Sequence, residues 1–80
     1  MIEVEEMAVR FRLQELLDTR TPPMSQSELA RQSGVSIVTI NAIANNRTRQ
    51  VQLDTLDAIA GVLDVHPGEL LERDLKKRRP

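Results

Sequence analysis

A chain of 80 residues with no cysteine and one histidine excludes a disulfide scaffold, a thiolate zinc site and a His-rich metal centre. Apolar runs of two or three residues are too short for a transmembrane helix, and Glu3, Glu5 and Glu6 stand where a secretory signal would be basic, so a cytoplasmic, membrane-free single domain is expected. The net charge of -1 hides a segregation: residues 21–52 carry three arginines against one glutamate, residues 53–75 carry six acids against one arginine, and Lys76, Lys77, Arg78 and Arg79 follow.

The first element carries two periods at once. Val9, Leu13, Leu16 and Leu17 follow helical spacing, while Val9 to Leu13 also alternates apolar with charged, as a strand would. We read a helix from about Met7 to Thr19, after an extended or frayed Met1–Glu6. Thr21-Pro22-Pro23 ends it, because a proline pair cannot continue a helix. Ser25 and Glu28 spell a capping box for a second helix, Gln26 to Ser33, with Met24 and Leu29 placed as a hydrophobic staple. Gly34 suits the left-handed position that closes it.

Ser36 caps a third helix from Ile37 to about Asn45, and Asn46 can take the left-handed conformation that ends it. Residues 47–51 read as a loop. A fourth helix, Leu53 to Leu63, aligns Leu53, Leu56, Ile59, Ala60 and Leu63 on one stripe. His66-Pro67 starts a fifth helix, with His66 as its cap and Leu70, Leu71 and Leu75 as its apolar face. The aliphatic load and the single aromatic, Phe11, favour an all-α fold. The expected domain is 7–72, between an N-terminal extension, 1–6, and a basic C-terminal tail, 73–80, that either attracts phosphate or only solubilises the terminus.

Two short helices joined by Gly34-Val35-Ser36 can cross steeply, which makes a helix-turn-helix. At this point "SQSELARQSGVSIVTINAIANNR" resembles the Cro and phage-repressor (Xre) type of helix-turn-helix, through Gln26, Leu29-Ala30, Gly34-Val35-Ser36, Ile40 and Ile43. The likeness continues through "LDTLDAIAGVLDVHPGELL" and spans roughly residues 9–72. It implies a compact five-helix, lambda-repressor-like DNA-binding domain. Three departures stand out. Leu17 occupies a position where many members carry an arginine paired with a buried acid. Thr21-Pro22-Pro23 lengthens a connector, and Asn46 replaces a glycine.

On a helical wheel at about 100° per residue, Ile43, Ala44 and Ser36 lie near Ile40 on a buried side. Val38, Asn41, Ala42 and Asn45 lie on the opposite side, with Ile37 and Thr39 at the edges. The resemblance makes Ile37, Val38, Asn41 and Ala42 the base-reading positions. Asn41 could pair with adenine, and Val38 and Ala42 could touch thymine methyls. It makes Gln26, Ser36, Thr39, Asn45, Arg47 and Arg49 the phosphate-binding positions. The plainer readings are an exposed valine at position 38 and solvated loop charges at Arg47 and Arg49.

The function so implied is sequence-specific binding of double-stranded DNA by a prokaryotic or phage transcriptional regulator of repressor type. It would act as a homodimer and use no cofactor or metal. No residue grouping supports an enzyme, since Glu69, Glu72 and Asp74 have no nucleophile beside them. The alternative is an antitoxin-like or protein-interaction module that retains the fold, for which the acidic excess of residues 53–75 would suit a basic partner.

Overall fold

A computed structural model describes residues 8–74. The order along the chain is strand β1 (Ala8–Phe11), helices α1 (Leu13–Thr19), α2 (Gln26–Ser33), α3 (Ile37–Ala44) and α4 (Leu53–Leu63), a 3₁₀ turn (Pro67–Leu70) and strand β2 (Leu71–Asp74). Four α-helices thus make up most of the fold, and its two ends meet in an antiparallel ribbon. No helix among the described residues is long and apolar enough to cross a membrane.

One cluster of apolar side chains holds these elements together. Leu13 and Leu17 of α1, Leu29 of α2, Ile40, Ile43 and Ala44 of α3, Ile59, Ala60 and Leu63 of α4, and Leu70 are all buried. Among the described residues no polar or charged side chain is buried as a whole. Helices of seven to eleven residues are too short to persist alone, so this shared burial is what keeps them helical.

Local signals set most of the boundaries. The Ser25 hydroxyl accepts the Glu28 amide at 3.0 Å and starts α2. The other half of the expected capping box is replaced: the Glu28 carboxylate turns outward to Arg31, and accepts from Gln32 at 2.5 Å. The Arg31 guanidinium first, and the Gln32 amide after it, hold the Glu28 carboxyl below the usual carboxylate range. Asn46 ends α3 at φ 56° and Asp64 ends α4 at φ 60°. Each completes a Schellman closure: Arg47 N–H reaches Ala42 O at 2.8 Å, and Val65 N–H reaches Ala60 O at 3.1 Å. Arg20 adds a tertiary cap, its guanidinium donating to the Leu63 carbonyl at the end of α4 at 3.0 Å.

Both ends of the chain depart from the expected helices. The first helix was expected from about Met7, but residues 8–11 are a strand and α1 begins at Leu13. The alternation of Val9 to Leu13 prevails because a partner strand exists: Ala8 pairs with Asp74, Val9 with Arg73, Arg10 with Glu72 and Phe11 with Leu71. Arg10 and Glu72 add an ion pair at 2.5 Å. Val9, expected on the apolar helical face, is consequently 64% exposed. The expected fifth helix stops after one 3₁₀ turn, since the ribbon claims the chain from Leu71 onward. Arg73 and Asp74, placed with the tail in the sequence reading, are strand residues. Leu75, Met1–Glu6 and the run Lys76–Arg79 lie outside the described residues. Leu53 also departs from the apolar stripe of α4, at 80% exposed. It is the first residue of its helix, and the stripe meets the core only further along.

The ribbon is tied to α3 by one side chain. Phe11 is a non-hydrogen-bonded position of the β1–β2 ladder, whose neighbouring rung runs from Arg12 N–H to Leu70 O at 2.9 Å. Its own N–H and C=O point outward, and the Asn46 side-chain amide takes both: Oδ1 accepts the Phe11 N–H at 2.6 Å, and Nδ2 donates to the Phe11 carbonyl at 3.0 Å.

Leu70, with 1% exposure, belongs to the core. Leu70→Ala should therefore cost about 2–5 kcal/mol in urea unfolding; a loss under about 1 kcal/mol would place Leu70 outside the core. At Asn46 the order of two variants is diagnostic. Asn46→Gly keeps the left-handed conformation, whereas Asn46→Ala should be less stable than Asn46→Gly by about 1 kcal/mol. Both should lose hydrogen-exchange protection at the Phe11 amide, and retained protection would refute the clamp.

Candidate nucleic-acid interface

The turn between α2 and α3 follows from three residues. Gly34 adopts φ 80°, and its N–H bonds Ala30 O at 3.0 Å, ending α2. Val35 packs against the core, its N–H held by the Ser33 hydroxyl at 3.2 Å. Ser36 then caps α3 by accepting the Thr39 amide at 3.1 Å, and its hydroxyl donates to the Thr39 hydroxyl at 3.0 Å. Ala30 is half-buried against the core.

Ile40 and Ile43, with 0% and 1% exposure, anchor α3 and turn its other side outward. Val38 is 74% exposed and Ile37 43% exposed. Asn41, Ala42 and Thr39 are half-buried, and Ser36 and Asn45 are exposed. The four sequence-predicted base-reading positions thus lie on the solvent side of one helix. Ser36, expected on the buried side, is exposed because it is the cap rather than a residue of the first turn.

The sequence-predicted phosphate-binding positions fall into groups. Ser36 and Thr39 meet at the start of α3, while Asn45, Arg47 and Arg49 follow its end, all three exposed. Gln26, the first residue of α2, reaches across to α3: Asn41 Nδ2 donates to Gln26 Oε1 at 3.0 Å. Arg47 folds back over the same helix, Nη2 donating to Asn41 Oδ1 at 2.5 Å. Its backbone amide is already held to Ala42 by the closure of α3, which keeps the guanidinium within reach. Gln26, Asn41 and Arg47 are therefore joined, while Asn45 and Arg49 stand apart from that group.

Two residues that the sequence reading did not single out join the network. Gln26 Nε2 donates to Gln14 Oε1 at 2.7 Å, and Gln14 Nε2 donates to Asp18 Oδ1 at 2.9 Å. Gln14 and Asp18 are one helical turn apart on α1, a spacing visible in the sequence. Their relation to α2 depends on how α1 packs, which the sequence does not display.

The sequence model of the Cro/C1-type HTH DNA-binding domain matches residues 12–76. The chain belongs to the Cro/C1-type helix-turn-helix family. It is 30% identical over 66 residues to the uncharacterized HTH-type transcriptional regulator YozG of Bacillus subtilis (strain 168), covering 82% of this chain and 76% of YozG. A crystal structure of transcriptional regulator VanUg superposes with a TM-score of 0.66 at 28% identity, covering 92% of this chain and 95% of that one. Within the Cro/C1-type fold, the apolar Leu17 is fully buried, so no charge needs a partner at that place. Asn46 provides the left-handed closure of α3 without a glycine and adds the bonds to Phe11 that a glycine lacks.

A Cβ built on Gly34 would meet nothing within 4 Å, so the conformation alone penalises a side chain there. Gly34→Ala should cost about 1–2 kcal/mol and Gly34→Asn less, measured by thermal or urea unfolding. Equal losses for the two would show that the positive φ is not what selects glycine.

Proposed function

We propose that this Cro/C1-type domain regulates transcription by placing α3 in the major groove of double-stranded DNA. Ile37, Val38, Asn41 and Ala42 meet base edges, and Gln26, Ser36, Thr39, Asn45, Arg47 and Arg49 bind phosphates. The observation that carries this reading is the outward side of α3, where an amide stands between small apolar residues and is braced by Gln26 and Arg47. Asn41 can pair with the N7 and N6 edge of adenine, and Val38 and Ala42 can pack on thymine methyls, so the preference leans to A·T pairs. Among these positions only Ser36 and Thr39 carry hydroxyls, which are engaged in capping α3, and none is a histidine, acid or lysine that could serve as their general base; the activity is binding rather than catalysis.

The protein acts as a repressor-type regulator in the cytoplasm, as a homodimer on a two-fold site. One small module contacts too little of the duplex for tight specific binding, and two copies reading half-sites a helical turn apart double the contacts. Leu70 is buried in the core of the single chain, so the proposed dimer surface lies elsewhere.

Selection of bound duplexes from a random pool tests the reading, with enrichment of a two-fold symmetric site as the expected result. Affinity for that site should fall steeply with salt, with a slope that counts phosphate contacts. Asn41→Ala should relax preference at one or two positions by about 1–3 kcal/mol, whereas Arg49→Ala should weaken all sequences alike and lower the salt slope by about 1. No enrichment, together with a flat salt dependence, would overturn DNA reading in favour of a protein-interaction module.

A further inference from the structure

The side chains that join α1, α2 and α3 form a chain of hydrogen bonds with one direction. Arg47 donates to Asn41, Asn41 to Gln26, Gln26 to Gln14, and Gln14 to Asp18, at 2.5, 3.0, 2.7 and 2.9 Å. The three inner members are carboxamides, each able to present its donor and acceptor either way round. The two end members have no such freedom. A guanidinium only donates and a carboxylate only accepts. Turning any one of the three amides would set donor against donor at one junction and acceptor against acceptor at the other. The ends therefore impose a single orientation on all three.

This matters at Asn41. Adenine offers an acceptor, N7, beside a donor, N6, and a carboxamide matches that pair in one orientation only. Within the chain Asn41 spends one N–H on Gln26 and one lone pair of Oδ1 on Arg47. One N–H and one lone pair remain for a base. Arg47 cannot be the sole keeper of this arrangement in a complex, since a phosphate competes for its guanidinium. The orientation must then be held from the other end.

We propose that Asp18, acting through Gln14 and Gln26, is a specificity-positioning residue that fixes which way round Asn41 presents its amide to DNA. Asp18 touches no base, and its acceptor-only carboxylate sets the polarity of the chain. The proposal rests on Asn41 as a base-reading residue, and it adds a determinant on α1, outside the helix-turn-helix.

The test uses the full chain and the duplex that it enriches from a random pool, together with single base-pair variants of that duplex. Asp18→Asn replaces an acceptor-only group by one of the same shape that can turn either way, and Gln14→Leu cuts the chain one link further on. Each should lower discrimination at the base pair read by Asn41 by about three- to tenfold, the worth of one hydrogen bond. Discrimination at other positions should hold, and neither variant should add to Asn41→Ala when combined with it. Removing an acid for purely electrostatic reasons would instead strengthen binding to every duplex and leave the ratios alone. Unchanged ratios in both variants, with a parent that enriches a site, would overturn the role of Asp18. A parent that enriches no site would overturn the DNA reading itself, and the proposal with it.

Discussion

The seating of Ile40 and Ile43 in the core is the interaction on which the rest of the molecule depends. Both are essentially inaccessible to solvent, and each contributes on the order of 1.5–3 kcal/mol of burial. Because a helix has 3.6 residues per turn, fixing that side determines what the opposite side presents. Asn41 and Ala42 then need no interactions of their own to face outward. α3 has eight residues, only about two turns, and could not hold this orientation without its anchors. The other short helices serve as the wall that the two isoleucines enter.

Anchoring one side leaves α3 free to slide or fray at its ends, and the capping bonds remove that freedom. Ser36 secures the start. At the other end, the left-handed Asn46 directs Arg47 back over the helix, and its side-chain amide is bonded to both backbone groups of Phe11. A carboxamide bonded in this way stands in for the peptide of a third strand. The ribbon, which joins the two ends of the described chain, is thereby coupled to the end of α3. One residue thus sets the stop of α3, the path of Arg47 and the position of β1.

What could be read from the sequence follows the range over which each signal acts. Ser25, Gly34, Ser36 and Asn46 act within one helical turn, and the boundaries of α2 and α3 follow from these residues. The outward side of α3 was equally legible, because a wheel needs only the helix and one anchor. The ribbon was not. Residues 9–13 carry both a helical and a strand period, and the outcome was decided by pairing with residues near the opposite end of the chain. Leu71 fits a helical face in the sequence yet pairs in the ribbon for the same reason, and Leu53 fits the apolar stripe yet is exposed because periodicity does not tell where the core stops. At the candidate site, Gln26 was legible through the family resemblance, which marks the first position of α2. Gln14 and Asp18 became visible only once the packing of α1 on α2 was known.

The absence of charge on α3 has a consequence for how affinity and selectivity divide. Its eight residues include no lysine or arginine, so positive charge for the phosphates must come from flanking segments, and Arg47 and Arg49 are the nearest basic residues after it. Arg47 also braces Asn41. In the proposed complex these two uses compete, since a guanidinium drawn to a phosphate turns at least part of its donor set away from the amide. A reader that relied on Arg47 alone would lose orientation at Asn41 as it gained attraction to the backbone. The bonds running through Gln26 and Gln14 to Asp18 remove that conflict, because they hold the amide from the side away from Arg47. In the proposed complex, affinity would then rest on a basic residue shared with phosphate, and selectivity on the neutral groups and the acid bonded to the other side of the amide.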